Sequence, residues 1–265
     1  MTASPKVFEF NSAIVRKPSR SVTSGLRAEN MGDPTFEGVL AEHEAYIIAL
    51  ESARMSVQVL DALDEFPDSI FVEDPALVYT EGAILLRPGA GTRAGETSAI
   101  APVLRERFET VLELSGGTVE GGDVLNTPES VMIGLSERTS VDGAEALIDC
   151  LNEFGRKGVI FQTPANVLHF KSDCSLLDEE TVLSTKRLAA SGAFDGFRQI
   201  ITPEGEETAA NALRINDRVF VGSDYPNTIR LLTAEGYDVV VLKTSEIARI
   251  DAGLSCMSLR WHDRH

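Results

Sequence analysis

The sequence predicts an α/β fold built from repeated strand–strand–helix units. Residues 71–79 and 83–89 have the apolar pattern of two short strands joined by a polar turn, and a helical pattern follows over 98–114. The same order recurs at 122–125, 130–136 and 141–154, then as strand pairs at 174–178 with 181–184 and within 212–223, the last followed by a helical pattern at 228–236. Such a unit cannot bury its apolar face alone, so the copies must stack or close into a ring.

A ring of such units has a consequence for function. The strand ends would converge on a central channel, where residues distant in sequence can meet. The 265 residues are 43 % hydrophobic, which is enough to bury a sizeable core. Since no linker, low-complexity tract or abrupt change of composition interrupts them, we expect residues 1–265 to form a single domain.

Composition narrows the class of protein. A net charge of −17 argues against a nucleic-acid partner, because a phosphate backbone requires a basic face. The same charge would attract cationic small molecules, although acidity also serves solubility alone. No segment approaches the roughly 20 apolar residues that span a bilayer, and the first ten residues lack the apolar run of a signal peptide. Three widely spaced cysteines do not suggest a disulfide framework, so we expect a cytoplasmic location without membrane partners.

Cys256 is the strongest candidate for a reactive group. Its neighbours Gly253, Ser255 and Ser258 are small, which leaves room for a substrate to approach the sulfur. Cys150 ends an amphipathic stretch, where a thiol packs as a small hydrophobe, and Cys174 follows a polar turn. This context predicts that Cys256 is a nucleophile.

Few histidines could pair with that thiol. His43 lies in a charged helical stretch and His262 in a polar tail, whereas His169 lies in a strand-like run at 166–170. A buried histidine with satisfied hydrogen bonds is the alternative for His169. Glu120 precedes two glycines, which permit close backbone approach, and its carboxylate could orient an imidazole.

Three acids surround one predicted strand. Asp68, Glu73 and Asp74 lie in and beside residues 71–79, and the two adjacent acids would project to opposite faces of an extended segment. A carboxylate buried in an apolar strand is costly unless it meets a cation. Asp68 could equally well cap a turn, an explanation that fits the Glu73–Asp74 pair less well.

Two arginines could hold a substrate carboxylate. Arg93 and Arg138 each follow a predicted strand and begin a loop, although a solvated surface position is the alternative for each. The glycines of residues 83–95 resemble a dinucleotide-binding turn, but their spacing is off by one residue and Pro88 interrupts the strand exit. No pair of histidines or cysteines has the spacing of metal ligands.

The order of these motifs resembles the dimethylarginine dimethylaminohydrolase family, within the guanidine-modifying superfamily that includes arginine deiminase. The resemblance spans nearly the whole chain and is carried by Ser24-Gly-Leu, the segments 66–75, 87–96 and 119–124, Val167-Leu-His, Asn216-Asp-Arg, Tyr225-Pro, Thr244-Ser-Glu and the segment 250–260. It implies a five-bladed α/β propeller, the pentein fold, whose blades are the repeated units around a central active-site channel.

The resemblance also implies roles for individual residues. Cys256 matches the family nucleophile, His169 its general acid and base, and Glu120 the carboxylate that orients the imidazole. Residues that match positions around the bound substrate are Asp68, Glu73 and Asp74 beside the guanidinium, Arg93 and Arg138 at the α-carboxylate, Leu26 in a mobile flap, and Asp251.

The implied reaction hydrolyses Nω-methylated arginines to citrulline and an alkylamine through a covalent thiouronium on the cysteine, and it requires no metal or organic cofactor. Lys171 stands where arginine deiminases have an aspartate that grips the unsubstituted guanidinium, so it favours a methylated substrate. Two alternatives stay open, namely hydrolysis of free arginine and a catalytically silent binding propeller. A homo-oligomer is compatible with the sequence.

Overall fold

The computed structural model describes residues 5–27, 31–165 and 167–264, which contain fifteen strands. In chain order the strands are β1 (Ser12–Arg16), β2 (Ser56–Leu60), β3 (Ala76–Tyr79), β4 (Gly82–Leu85), β5 (Val111–Glu113), β6 (Val124–Asn126), β7 (Val131–Leu135), β8 (Gly158–Gln162), β9 (Cys174–Leu176), β10 (Thr181–Ser184), β11 (Arg198–Ile201), β12 (Leu213–Ile215), β13 (Arg218–Gly222), β14 (Asp238–Leu242) and β15 (Leu259–Trp261).

Six α-helices lie between these strands within the described ranges: α1 (Phe36–Ser52), α2 (Glu96–Arg107), α3 (Val141–Glu153), α4 (Lys186–Ala189), α5 (Pro226–Ala234) and α6 (Ser245–Ala248). Side-chain caps fix where three of them begin. Thr35, Ser140 and Thr185 accept hydrogen bonds from the amides of Gly38, Gly143 and Leu188, respectively. Short 3-10 turns occupy Arg20–Ser24, Gly91–Arg93, Gly121–Asp123, Phe170–Ser172 and Glu207–Ala210. No helix in the described ranges is both long enough and apolar enough to cross a membrane.

The strands form five sheets of three strands with one shared topology. In each sheet the middle strand pairs antiparallel with the first strand and parallel with the third, as β4 does with β3 and β5. A helix connects the middle strand to the third strand, because a parallel pair needs a crossover connection. The repeated unit is therefore strand–strand–helix–strand.

One sheet joins the two ends of the described chain. β1 pairs antiparallel with β15, with Ile14 opposite Leu259, and pairs parallel with β2, with Ile14 opposite Gln58. The first strands of the sheets contact one another in sequence around the molecule, since β15 contacts β3, and β9 contacts both β6 and β12. These first strands thus form the inner wall, and the chain closes on itself through β15.

Burial follows the position of a strand in its sheet. The middle strands β1, β4 and β10 are buried along their whole length, whereas the outer strands β2 and β14 consist of exposed and partly buried residues apart from the buried Leu60. Apolar clusters fill the space between neighbouring sheets and beneath the helices, and Trp261, Phe194 and Phe220 are buried among them. The inner ends of the sheets are left for polar groups.

The structure corrects three predicted segments. The helix expected over 98–114 ends at Arg107, and β5 follows it as the third strand of its sheet. Residues 71–75 form a turn that leads into β3 rather than the start of a strand. The run expected at 166–170 is not a strand over residues 167–170, because His169 caps a 3-10 turn that begins at Phe170; Asn166 lies outside the described residues.

Candidate active site

Each sheet contributes a polar residue from the segment that precedes its inner strand. In chain order these residues are Asp74 before β3, Glu120 before β6, His169 before β9, Asn211 before β12 and Cys256 before β15. Because the five sheets share one topology, these segments lie at the same end of the inner strands and meet in one place. The convergence predicted from the repeats is present.

His169 and Glu120 form a short polar contact within this cluster. His169 Nε2 lies 2.6 Å from Glu120 Oε2, and the other Glu120 oxygen accepts a hydrogen bond from the Ala90 amide at 3.0 Å. Burial favours the neutral imidazole, but the hydrogen bond to Glu120 and the negative charges of Asp74 and Asp123 raise the pKa of His169 to about 9. At neutral pH His169 is therefore a cation that can donate a proton.

Gly122 explains how the imidazole and an acid approach the same stretch of backbone. A Cβ atom at residue 122 would lie 2.7 Å from His169 Nδ1 and 3.2 Å from Asp74 Oδ1. The Gly122 amide also donates a hydrogen bond to Asp74 Oδ1 at 2.9 Å. The glycine noted in the sequence is thus required by contact with two site residues.

Asp74 and Glu73 both point into the site. The prediction that the two acids project to opposite faces is wrong, because they lie in a turn and both are buried. Burial alone would raise the pKa of Asp74, but Arg93, His169 and the Gly122 amide hold it below its ordinary value. Glu73 Oε1 lies 2.6 Å from Lys171 Nζ and 2.8 Å from Arg260 Nη2.

Glu73 has one unused acceptor. Its Oε2 atom is buried and has no hydrogen-bond partner in the described part of the chain. A buried carboxylate oxygen without a donor is unfavourable, so its surroundings favour a ligand that supplies N–H or O–H groups.

Cys256 is held against the acidic turn. Its carbonyl accepts a hydrogen bond from the Glu73 amide at 3.2 Å, and its own amide donates to the Gly253 carbonyl at 3.3 Å. Desolvation and the negative charges of Glu73 and Asp74 raise the pKa of the Cys256 thiol to about 11. The thiol of the free protein therefore keeps its proton at neutral pH and needs a nearby positive charge to lose it.

The other two thiols lie away from this cluster. Cys150 is buried in α3, as the sequence predicts. The expectation of a polar setting for Cys174 is wrong, because Cys174 begins β9 and is buried in an apolar cluster. His43 is likewise buried rather than displayed on a charged helix face, and burial lowers its pKa to about 4.

Arg93 lies inside the wall of the site. Its guanidinium contacts Asp74 Oδ2 at 2.5 Å, both oxygens of Glu96 at 2.7 and 3.0 Å, and the carbonyl oxygens of Asp68 and Phe71. The alternative of a solvated surface arginine is wrong for this residue, which is only 5 % exposed. A contact between Arg93 and a substrate carboxylate, as the resemblance implies, would need the guanidinium to give up some of these partners.

Asp68 connects the site to the segment around Leu26. Asp68 Oδ1 accepts a hydrogen bond from the Leu26 amide at 3.0 Å, and Gly25 leaves space for this approach, since a Cβ there would lie 2.6 Å from the same oxygen. The Leu26 side chain is exposed. Burial raises the pKa of Asp68, partly offset by Arg93 and by the Leu26 amide.

Arg138 lies at the edge of the cluster, whereas Asp251 lies in the chain segment before Cys256. Arg138 follows β7, as predicted, and its Nη1 atom is 4.0 Å from Glu120 Oε1, with about a quarter of the side chain exposed. Asp251 has a positive φ of 54° and is partly exposed in the turn that precedes the Cys256 segment. Its predicted contact with substrate stays a prediction.

Two contact residues were missing from the predicted site. Asn211 Nδ2 lies 3.8 Å from the Cys256 sulfur, and Arg260 holds Glu73. The position of Asn211 just before an inner strand is the signal that could have identified it. Lys171, noted in the sequence only as a departure from arginine deiminases, is buried against Glu73.

Asp74, Glu120 and His169 could in principle hold a metal ion, since they offer ligand atoms that lie within 4.8 Å of one another. Hydrogen bonds and ion pairs account for the same arrangement. Glu120 is bound to His169 and to the Ala90 amide, and Asp74 is bound to Arg93 and to the Gly122 amide. Arg93 supplies the positive charge beside Asp74.

The fold and this constellation define a guanidine-modifying class of protein, and comparison with known proteins specifies it. The arginine deiminase family model matches residues 43–206, and the chain belongs to this family, in its dimethylarginine dimethylaminohydrolase branch. It is 37 % identical over 254 residues to N(G),N(G)-dimethylarginine dimethylaminohydrolase from Pseudomonas aeruginosa, covering 95 % of this chain and 100 % of that one. The corresponding protein from Streptomyces coelicolor is 29 % identical over 252 residues, covering 94 % of this chain and 96 % of the relative.

Solved structures confirm the five-bladed α/β propeller. The Pseudomonas aeruginosa enzyme, as a mutant in complex with citrulline, superposes with a TM-score of 0.92 at 36 % identity and covers 96 % of this chain and 100 % of that one. The N-terminal domain of an arginine dihydrolase from cyanobacteria superposes with a TM-score of 0.83 at 17 % identity, which supports the fold alone, and covers 95 % and 98 % of the two chains.

Proposed function

We propose that this protein hydrolyses the guanidinium C–N bond of Nω-methylated arginines, releasing citrulline and methylamine or dimethylamine. The observation that carries the proposal is the single constellation of the Cys256 thiol, the His169–Glu120 pair and the buried acids Glu73 and Asp74. A guanidinium is the ligand this set suits best, because it brings positive charge and several N–H donors to buried acceptors. The citrulline-bound relative supports the same class of ligand.

The first step is attack by sulfur. A guanidinium bound by Asp74 and by the unused oxygen of Glu73 would place positive charge beside Cys256 and lower the proton affinity of the thiol. The thiol loses its proton to solvent, and the thiolate attacks the guanidinium carbon. A C–S bond forms while the electrons of one C–N π bond move onto nitrogen, which leaves a tetrahedral carbon. The nearby carboxylates keep the cationic group in place while its geometry changes.

The second step is departure of the amine. His169, protonated at neutral pH, gives its proton to the substituted nitrogen, the C–N bond breaks, and a thiouronium remains on Cys256. The imidazole, now neutral and still oriented by Glu120, takes a proton from water, which attacks the same carbon. Cleavage of the C–S bond then releases citrulline, and the sulfur recovers a proton.

The α-carboxylate and α-amino groups of the substrate would lie toward the edge of the cluster. Arg138 has an exposed part there and can pair with a carboxylate, and Leu26 with Asp68 forms the segment that covers the opening. We propose that the main role of Arg93 is to hold Asp74. Its contact with the α-carboxylate of the substrate stays a prediction. Asp251 is proposed as a further edge contact.

Lys171 supports a methylated substrate over free arginine. Its ammonium lies in the site and is bound to Glu73, so it neutralises one acid. In arginine deiminases an aspartate stands at this position and grips the unsubstituted guanidinium nitrogens. We further propose that residues 1–265 act as one catalytic domain in the cytoplasm, which the three free thiols support.

Citrulline release measured in parallel with asymmetric dimethylarginine, monomethylarginine and arginine tests the substrate class. We expect release from the methylated substrates with dimethylamine or methylamine as the second product. Ammonia from arginine, with little release from the others, would identify an arginine deiminase instead. A silent binding protein would release no citrulline, and its Cys256 would show no substrate-dependent change in reactivity toward iodoacetamide.

A further inference from the structure

We propose that Asn211 donates a hydrogen bond to the Cys256 sulfur and stabilises its thiolate, a role that rests on the proposed function of Cys256 as the nucleophile. Asn211 Nδ2 lies 3.8 Å from Cys256 Sγ, within hydrogen-bond distance for sulfur. The Ser255 hydroxyl, at 4.0 Å from the same sulfur, is a more distant second polar contact. Asn211 therefore touches the reacting atom itself.

The orientation of the Asn211 amide follows from its other contact. The Ser255 backbone N–H points at Asn211 Oδ1 at 3.3 Å, and a backbone amide can only donate. Turning the side-chain amide around would place two donors against each other at this contact. The oxygen must therefore face Ser255, which leaves the NH₂ group facing the sulfur.

Gly253 provides the space for this side chain. A Cβ atom at residue 253 would lie 2.2 Å from Asn211 Cγ and 2.5 Å from both its amide nitrogen and its oxygen. The sequence suggests that Gly253 leaves room for substrate, whereas the structure shows that it leaves room for Asn211. The Gly-Leu-Ser-Cys segment is thus shaped around the asparagine amide.

The place of Asn211 in the fold is the same as that of the other site residues. It follows the 3-10 turn Glu207–Ala210 and precedes the inner strand β12, as Asp74, His169 and Cys256 precede theirs. Four of the five equivalent segments carry a charged or nucleophilic group of the site. Asn211 is the contribution of the fifth.

A neutral donor suits this position electrostatically. Burial, Glu73 and Asp74 oppose ionisation of Cys256, and Lys171, which favours it, is paired with Glu73, so the thiolate needs a further compensating contact. An additional unpaired lysine or arginine beside the sulfur would stabilise the thiolate but would repel a guanidinium substrate. An amide N–H stabilises the anion without adding positive charge.

The pH dependence of iodoacetamide labelling tests the proposal, with the extent of labelling at Cys256 read by peptide mass spectrometry. Iodoacetamide is neutral, so the rate reports the thiolate rather than substrate binding. For Asn211→Ala we expect the apparent pKa of labelling to rise by about one unit, which is about tenfold slower labelling at neutral pH. Asn152→Ala, on the exposed face of α3, is the matched control and should label like the wild type.

Asn211→Asp separates donation from packing. The aspartate has nearly the same shape and can still accept from the Ser255 amide, but it presents an oxygen rather than an N–H to the sulfur. If Asn211 donates to the sulfur, Asn211→Asp should label more slowly than the wild type, because it has lost the N–H and has added a negative charge near the sulfur. Labelling of Asn211→Asp at the wild-type rate would overturn the proposal even if the alanine variant folded poorly.

Gly253→Ala approaches the same contact from the other side. Its added methyl group must displace the Asn211 amide, so labelling should slow as in Asn211→Ala, with no further change when the two substitutions are combined. Wild-type labelling of Gly253→Ala would contradict the proposal. Failure of the proposed function is distinguishable, because it would appear as absent citrulline release by the wild-type protein while the labelling rates stayed as expected.

Discussion

At the residue scale, Cys256 and His169 both hold their protons more tightly than they would in water, for different reasons. Burial and two neighbouring acids raise the pKa of the thiol. Burial lowers the pKa of the imidazole, but Glu120, Asp74 and Asp123 raise it by more. The free protein at neutral pH therefore holds a neutral thiol and a cationic imidazole in one site. A cation bound near the sulfur would lower the pKa of the thiol.

Replacement of Cys256 by serine removes the proposed nucleophile with little change in size. We expect Cys256→Ser to lose about a thousandfold or more in kcat, because an unactivated hydroxyl is a far poorer nucleophile than a thiolate. Citrulline release at saturating dimethylarginine is the measurement. Cys150→Ser, at a thiol buried in α3, is the control and should keep nearly full activity in its folded fraction. Substantial turnover by Cys256→Ser would rule out the assignment.

The pH profile reports the state of His169. Since its pKa of about 9 lies above the ordinary value, the acid form is present at neutral pH and is lost as the pH rises through about 9. We therefore expect kcat, measured at saturating substrate so that the bound cation has already lowered the pKa of the thiol, to fall on the alkaline side of that value. Glu120→Gln removes the main contact that raises the pKa, so the alkaline limb should move to lower pH.

The matched control for that shift is Glu145→Gln, which neutralises an exposed acid on α3. This variant should leave the alkaline limb of the pH profile at the wild-type pH. A Glu120→Gln enzyme whose alkaline limb coincided with that of the wild type would show that Glu120 does not set the proton affinity of His169.

At the element scale, the short segments before the inner strands decide what meets in the centre. The Gly121–Asp123 turn lets its backbone lie against His169 and Asp74, and the turn before β3 directs both Glu73 and Asp74 inward. These segments have only isolated turn hydrogen bonds of their own, such as that from the Asp123 amide to the Glu120 carbonyl, so contacts with neighbouring sheets help to fix their shape. Their precision depends on small residues at the points of closest approach.

Gly122→Ala tests that dependence. The added Cβ would lie 2.7 Å from His169 Nδ1, too close for an ordinary contact, so the imidazole or the turn must move. We expect kcat to fall by about a hundredfold, as a misplacement of about 1 Å produces in positioned catalytic groups. Gly116→Ala, where nothing lies within 4 Å of the added atom, is the control and should change kcat little. Wild-type kinetics for both variants would place His169 outside the reaction.

Sequence reasoning identified four of the five sheets because their first two strands are adjacent in the chain and joined by polar turns. It did not find the outer strands. Residues 108–114 carry on from an amphipathic helix without glycine or proline, so the change to β5 depends on pairing with β4. The charged site residues were recognisable from their residue types. Asn211 was not, because asparagine is common in ordinary turns and its type alone does not indicate a contact with Cys256.

At the scale of the whole molecule, one sheet is assembled from opposite ends of the chain. β1 and β15 lie at opposite ends of the described chain, so their pairing is a long-range contact that closes the ring. This is also why the sequence repeats did not reveal the fifth sheet. Beyond β15, Asn11 and Asp263 exchange two hydrogen bonds that extend the closure.

Closure is coupled to the active site through β15. Trp261 is buried against Phe108, with ring centroids 5.2 Å apart, and Arg260 of the same strand reaches Glu73 Oε1 at 2.8 Å. The segment that holds Cys256 leads directly into this strand. Loosening of β15 should therefore disturb the nucleophile and the acid it faces, as well as overall stability.

Trp261→Ala is the substitution that tests this coupling. We expect it to lower the free energy of unfolding by about 3–5 kcal/mol, since it removes a large buried ring. Leu232→Ala, on the buried face of α5, should destabilise by a comparable amount of about 2–5 kcal/mol without touching the closure. Measured well below both unfolding midpoints, kcat should fall in Trp261→Ala and stay near the wild-type value in Leu232→Ala. Native-state hydrogen exchange should show the amides of β1 opening more readily in the tryptophan variant alone, because local opening follows the contacts that hold an element in place. Equal kcat and equal exchange in the two variants would mean that the closing strand contributes stability but does not position Cys256.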